Sequence, residues 1–341
     1  MYRFWMKLIF SCFILLFSVH VSNAGFLGDA VLDDDSTPYL TEINPLSTPQ
    51  AYYEQHKDQM DVVPDGVGLQ ILFKSGNTSY LLAGPRAHRL LTLNGGKIEH
   101  TDLSFARQLQ EEFFEETFGV FEILIRRNTL YLRINKQIYP LHFYKDKTLV
   151  HYKPGQFAYV TFTAEVRENI DQIMLDSLAN QLSPTALYWE QLGSYLFNRV
   201  RAAPHGDGFS EYWLQQRESL DLLLADLTNQ YDVLIQRGQL LITPEQAFEV
   251  DQLDQAWDKL RGISSYGELK NCFQNTVGRY SERAGYYVLD AKQVLAAAKT
   301  SQSVLDIHGQ PVADSIFNLE TVLVVFSSIF NEHSAIKEYI P

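Results

Sequence analysis

Cysteine is scarce in this sequence: of 341 residues, only Cys12 and Cys272 carry a thiol. Cys12 falls in an N-terminal stretch that reads as a removable leader, so a mature chain would hold Cys272 alone and could form no internal disulfide. Cys272 sits at helical spacing beside Leu269 and Phe273, the setting of a buried apolar thiol rather than a nucleophile. Positive charge is also short, with 28 Lys and Arg against 41 Asp and Glu, a formal charge of −13. A surface that negative repels phosphate backbones, which argues against bulk nucleic-acid binding and adhesion to anionic membranes. A small phosphorylated ligand would need a cation to bridge the charges. Past the leader, no apolar run reaches the ~20 residues that a bilayer span takes. Val322–Phe326 is apolar, but Glu320 precedes it and Ser327 and Ser328 follow. Several catalytic signatures are missing: no G-x-S-x-G elbow, no H-E-x-x-H, no Walker-type loop. The nine histidines show no ligand-like spacing, and the S-x-x-K match at Ser334–Lys337 has no partner motif.

What is present begins with an address. Arg3 and Lys7 open the chain, Leu8 to Val21 form an apolar run, and Ser22-Asn23-Ala24 supplies a small-x-small cleavage pattern. Residues 1–24 are therefore expected to be a signal peptide cut before Gly25. The product would be an exported protein, periplasmic or secreted, with no stable membrane anchor. Losing Arg3 and Lys7, the only charged residues of the leader, takes the formal charge from −13 to −15. The 317 residues left of 341 exceed one average domain and suggest two. At 46% hydrophobic residues the full sequence can fill ordinary cores.

Residues 25–60 read as an extended N-terminal segment with one short helix around Pro49 to Lys57. Leu69–Phe73 and Tyr80–Ala83 flank Ser75-Gly76-Asn77, a hairpin signal. A helix is expected over Ser104–Phe118, then strands at Phe121–Ile125, Leu130–Ile134, Ile138–Phe143 and Phe157–Val166, with turns at Asn128 and Asn135. Residues 61–180 thus read as an α+β unit with a mixed sheet. Beyond about Gln181 the pattern turns helical. Helices are expected over Pro184–Val200, broken by Ala203–Gly208, along Leu220–Leu234, from Thr243-Pro244-Glu245-Gln246 (a capping signal), and over Glu268–Tyr280, Tyr286–Lys299 and Val312–Phe330. Residues 181–341 are accordingly expected to form a mainly α-helical C-terminal domain.

Chemistry concentrates in Asn94-Gly95-Gly96-Lys97-Ile98-Glu99-His100-Thr101-Asp102 and the following Glu111-Glu112-Phe113-Phe114-Glu115-Glu116-Thr117-Phe118-Gly119. A Gly-Gly turn lets backbone carbonyls approach a ligand or ion without interference from Cβ. Asp102 or Ser104 can cap the next helix. At 100° per residue, Glu111, Glu112, Glu115 and Glu116 share an arc of about 140°, while Ala106, Leu109 and Phe113 occupy the adjoining one. Like charges at i,i+4 cost only about 0.2–0.5 kcal/mol per pair, which a solvated acidic face tolerates easily, so the repulsion alone does not mark a cation site. Hard divalent cations take such oxygen ligands.

This stretch resembles the Nudix box, the loop–helix–loop signature G-x5-E-x7-R-E-U-x-E-E-x-G-U, where U is aliphatic. Gly95-Gly96-Lys97-Ile98-Glu99 matches its start, and Glu112, Glu115 and Glu116 keep the spacing of its three helical glutamates. The resemblance implies a Nudix-like mixed sheet carrying the box helix, with Glu112, Glu115 and Glu116 as catalytic metal ligands. It implies that Gly95 and Gly96 form the turn whose carbonyl joins them, and that the ion is Mg²⁺ or Mn²⁺. The activity implied is hydrolysis of a phosphoanhydride in a nucleoside-diphosphate-linked substrate. The box is degenerate: Asp102 stands at its first glutamate, one residue is added before the triplet, Glu111 replaces its arginine, and Phe118 is inserted before Gly119. Arg86, His88 and Arg89, just upstream, are candidates to meet substrate phosphates. Glu165 and Glu168, at a strand end, are candidates for a further ligand or base. The alternative is a Nudix-fold module without hydrolysis, a binding or effector protein whose helical half engages a protein partner.

Overall fold

Gly76 and Asn77 form the two-residue connection of a hairpin, Gly76 at φ 59°, which a glycine adopts freely. A computed structural model describes residues 37–86 and 89–331 of the chain. The expected leader, His88 and Ser334–Lys337 lie outside the described residues. In chain order the elements run β1 (Thr37–Thr41), α1 (Pro49–His56), β2 (Gly66–Ser75), β3 (Thr78–Arg86), β4 (Arg89–Leu91), β5 (Asn94–Lys97) and α2 (Phe105–Glu116). Six strands follow: β6 (Phe121–Arg126), β7 (Thr129–Ile134), β8 (Gln137–Pro140), β9 (His142–Phe143), β10 (Thr148–Lys153) and β11 (Phe157–Val166). The C-terminal half holds α3 (Gln172–Ala202), α4 (Phe209–Gln236), α5 (Pro244–Ala247), α6 (Leu253–Arg261), α7 (Tyr266–Cys272), β12 (Tyr287–Asp290) and α8 (Ala291–Thr300). The short strands β13 (Val304–Leu305), β14 (Pro311–Ala313) and β15 (Ser315–Ile316) follow, and helical turns over Thr321–Phe326 and Ser327–Ile329 come after them.

The main sheet is mixed, ordered β1-β10-β11-β2-β3-β4-β15, with β5 also on β2, β9 on β11 and β12 on β3. β11 and β2 run parallel, Tyr159 opposite Gly66 through Val166 opposite Phe73. Both strands are buried on two faces, as central strands covered on each side are. β6, β7 and β8 form a separate antiparallel sheet whose turns place Asn128 (φ 61°) and Asn135 (φ 56°) in the left-handed region that asparagine tolerates. Helix α2 buries Phe105, Ala106, Leu109 and Phe113 in the core, with Phe113 edge-on to Phe121 at 6.4 Å between ring centres. Each such aromatic or leucine side chain contributes roughly 1.5–3 kcal/mol by burial, far more than like-charge repulsion on the helix's outer face removes. Ser104 is its N-cap, accepting from the Arg107 amide. Among the described residues, no helix is long and apolar enough to cross a membrane.

Several expectations change in the C-terminal half. Helix α3 runs unbroken through residues 180 and 181, with Pro184 inside it, so the boundary expected there falls within one helix. The stretch expected as helix from Tyr286 opens instead as β12, paired with Leu81 and its neighbours on β3, before Asp290 caps α8. Val312–Phe330 is not one helix: it passes through β14 and β15, and Thr321–Phe326 forms wide π-type turns. The reason is a local ambiguity. Short apolar runs suit a buried strand or a buried helix equally, and a free edge of the main sheet decides for strand. The helical half therefore contributes two strands, β12 and β15, to the main sheet. Elsewhere the capping signal holds, with Thr243 and Gln246 making both hydrogen bonds of a capping box.

Candidate functional site

Gly95 and Gly96 sit not in an open turn but in strand β5, opposite Gly68 and Val67 of β2. The local cause is crowding. A Cβ on Gly95 would overlap the Val67 carbonyl oxygen, and a Cβ on Gly96 would lie 2.5 Å from Oε2 of Glu112. The missing side chains let α2 settle directly over β5, with the Glu112 carboxylate against bare backbone. Gly95 then donates its N–H to Glu116 Oε1 at 3.2 Å.

Glu116 is buried, and its second oxygen accepts from Nη2 of Arg283 at 3.2 Å. Arg283 is buried as well and donates to the carbonyl of Leu91 at 2.8 Å, to that of Leu93, and to Oδ1 of Asn94 at 2.8 Å. One guanidinium from the C-terminal half thereby ties the run-in to β5 to the acidic helix, a fork that only Arg can offer. Beside it, the Tyr286 hydroxyl donates to the Glu116 backbone carbonyl. Burial raises the Glu116 carboxyl well above the usual range despite Arg283, and Glu282 and Glu112 push the same way. Arg283 stays charged, since Glu116 and its neighbours outweigh the effect of burial.

Glu112 and Glu115 face a cavity of about 510 Å³. Its walls carry six glutamates (Glu99, Glu111, Glu112, Glu115, Glu282, Glu320) against three basic residues (Arg86, Lys97, Arg279). Burial, then Glu282, Glu115, Glu99 and Glu111, push the Glu112 carboxyl up to about 8. Burial likewise raises Glu115, which Arg279 opposes from 3.6 Å. Among the described residues nothing hydrogen-bonds the Glu112 carboxylate, whereas Glu111 lies exposed, 3.8 Å from Arg107.

Of the residues singled out in the sequence, Glu112, Glu115, Gly95, Gly96 and Arg86 line this one cavity, and Glu116 stands directly behind it. Arg89 does not line it: its guanidinium, like that of Arg86, lies over the Phe317 ring, at 5.8 Å and 5.9 Å. Asp102 is exposed outside the cavity. Glu165 is buried elsewhere against Lys74 and Arg167, each at 3.1 Å, which hold it below the usual carboxylate range although burial opposes them. Glu168 is exposed. Not singled out as site residues in the sequence were Arg279, Glu282, Arg283, His151 and Glu320. No local pattern marks them, because they meet α2 only through pairings between distant parts of the chain.

The oxygen-only donor set at Glu112 and Glu115, crowded by like charge, fits a hard divalent cation better than a soft one. Among the described residues, however, no three His, Cys, Asp or Glu side chains are gathered into a ready cation cage. Glu116 is already engaged by its two donors. Compared with known proteins, the chain matches no protein-family model and no curated protein sequence.

Proposed function

We propose that this cavity hydrolyses a phosphoanhydride in a nucleoside-diphosphate-linked substrate, with Mg²⁺ or Mn²⁺ held by Glu112 and Glu115 and with Glu116 behind them. The observation that carries the reading is the Glu112 carboxylate resting on the side-chain-free backbone of Gly96, in a cavity where glutamates outnumber basic residues two to one. A polyanionic phosphate enters such walls only with a cation to neutralise it. Bound there, the ion would supply charge neutralisation on the phosphates and an activated water. The chain's own residues do the positioning. Arg283 and the Gly95 amide hold Glu116, Gly96 admits Glu112, and Arg279 and Arg86 offer donors to phosphate oxygens. Hydrolysis adds one water across a P–O–P linkage and gives two phosphate-terminated products. The leader at residues 1–24 would deliver this activity to the periplasm or the exterior. Incubation of residues 25–341 with Mg²⁺ or Mn²⁺ and a panel of nucleoside diphosphate derivatives, with phosphate-terminated products resolved by chromatography, tests it.

A second reading is supported by the prior engagement of Glu116 and by exposed apolar residues along the long helices, Ile173 at 76%, Leu214 at 60% and Leu222 at 66%. In it the chain is a binding or effector module without hydrolysis, acting through protein contacts of its helical half. Turnover by the wild-type chain separates the two.

A further inference from the structure

The cavity reaches across the sheet. His151 on β10 is aligned with Tyr159 on β11, Tyr159 with Gly66 on β2, and Gly66 with Lys97 on β5. At ~4.8 Å per strand, His151 stands roughly 14 Å from the strand that carries Gly95 and Gly96. The ring of Tyr159 lies over Gly66 and Gly68, whose missing side chains make room for it. Above this floor the segment after β15 closes the cavity with Phe317, Asn318 and Glu320.

Among the described residues, two buried polar atoms here have no hydrogen-bond partner. His151 is 2% exposed and lines the cavity, yet its Nδ1 makes no hydrogen bond. Oε2 of Glu320 is buried in the same cavity and is also without one. Leaving a buried polar atom unmatched is costly, so such atoms in a cavity wall mark where a ligand's polar groups belong. Leu91, Leu93 and Phe317 form a small apolar cluster of their own, and all three line the same cavity. Burial lowers His151 to a pKa of about 4, so the imidazole is neutral at physiological pH and presents one N–H and one lone pair. Asn318 is spoken for, accepting from the Thr92 amide and donating to its hydroxyl.

We propose that this end of the cavity is a base-recognition subsite, taking a nucleobase that carries an exocyclic amino group, with Glu320 accepting from the amino group and His151 matching the adjacent ring atom. The ring would lie against Leu91, Leu93 and Phe317. A flat ligand with one apolar face and a donor–acceptor edge satisfies all of these walls at once, which a phosphate or a sugar alone does not. The assignment rests on the nucleotide-type substrate proposed above and names the part of it that this chain selects.

The test is a metal-free titration of residues 25–341 with unphosphorylated adenosine, cytidine, guanosine and uridine, followed by calorimetry or ligand-observed NMR. At least one amino-bearing nucleoside is expected to bind, and uridine at least roughly tenfold more weakly, the scale of one lost buried hydrogen bond. Glu320→Met and His151→Phe should each weaken that binding by a similar factor, while both variants keep the wild-type Mg²⁺-dependent rise in melting temperature. If no amino-bearing nucleoside binds, if uridine binds as well, or if neither substitution matters, the subsite is overturned. Because the titration contains no metal, nucleoside binding survives a failure of the hydrolase reading, and hydrolysis survives a failure of the subsite.

Discussion

Arg283 and Glu116 lie 167 residues apart in the chain and meet at 3.2 Å, both side chains about 2% exposed. Position 111, where the resembled motif carries arginine, holds an exposed glutamate instead. The guanidinium that orients the helix's inner carboxylate comes from the loop before β12. Arg283→Met would leave Glu116 with the Gly95 amide as its remaining donor, so the buried carboxyl would take a proton, and it would strip the hydrogen bonds to Leu91, Leu93 and Asn94, a loss of about 1–3 kcal/mol. Arg283→Lys keeps the charge but lacks the fork that reaches Leu91, Leu93 and Asn94 together, so it should recover only part. Glu116→Gln added to Arg283→Met should cost little more, since the buried carboxyl is then already neutral. Calorimetric melts of the four proteins check the order.

Glu112 gives stability a pH dependence of definite sign. Its pKa rises from 4.5 in the unfolded chain to about 8 in the folded one, so the folded state binds the proton more tightly. Its contribution to stability therefore falls as pH rises between about 4.5 and about 8, and levels off beyond. Glu112→Gln should flatten that part of the stability–pH profile. A divalent cation bound at Glu112, as proposed, would compete with the same proton. The stabilisation produced by millimolar Mg²⁺ or Mn²⁺, read as a rise in melting temperature, should be larger at pH 8.5 than at pH 6.5, the free energy reaching about 2.7 kcal/mol at a hundredfold excess over Kd.

The two glycines of β5 separate fold from function. On Gly95 a methyl group would meet the Val67 backbone carbonyl, which cannot move away, so Gly95→Ala should cost about 1–3 kcal/mol. On Gly96 it would meet only the end of the Glu112 side chain, which can swing aside. Gly96→Ala should cost under about 1 kcal/mol yet abolish the cation-dependent shift. Paired melts with and without Mn²⁺ distinguish the two effects.

Strands and turns in the first half were legible because each carried its own local signal: Gly76-Asn77 at the hairpin, Asn128 and Asn135 at left-handed turns, and alternating apolar residues in Phe157–Val166. The gathering of Gly95, Gly96, Glu112 and Glu115 was legible for the same reason, since a short span of chain fixes it. Tyr287–Asp290 was not, because its neighbours could make it helix, and only the open edge of β3 makes it strand. Arg283 and His151 were illegible as site residues. Their roles arise from a loop and a strand register distant from α2 in sequence, and no spacing along the chain encodes them.

That cross-chain construction bears on how the chain divides. β12 covers β3, Arg283 holds Glu116, and α3 continues past residue 180. A fragment of residues 61–180 should therefore lack native-like near-ultraviolet dichroism and bind hydrophobic dye, while residues 25–341 melt in one transition. An independently folded fragment would show that the first unit closes its own core.

Cation binding by Glu112 and Glu115 in phosphoanhydride hydrolysis is the proposal on which the others depend. Its most direct test is the rate at which residues 25–341 release phosphate-terminated products from nucleoside-diphosphate-linked compounds in Mn²⁺ or Mg²⁺. The account predicts metal-dependent turnover that falls at least a hundredfold in Glu112→Gln and in Glu115→Gln, the scale of one lost catalytic group, in variants that still fold. No turnover of any compound in the panel by the wild-type chain, or equal turnover in wild type and both glutamine variants, would contradict it.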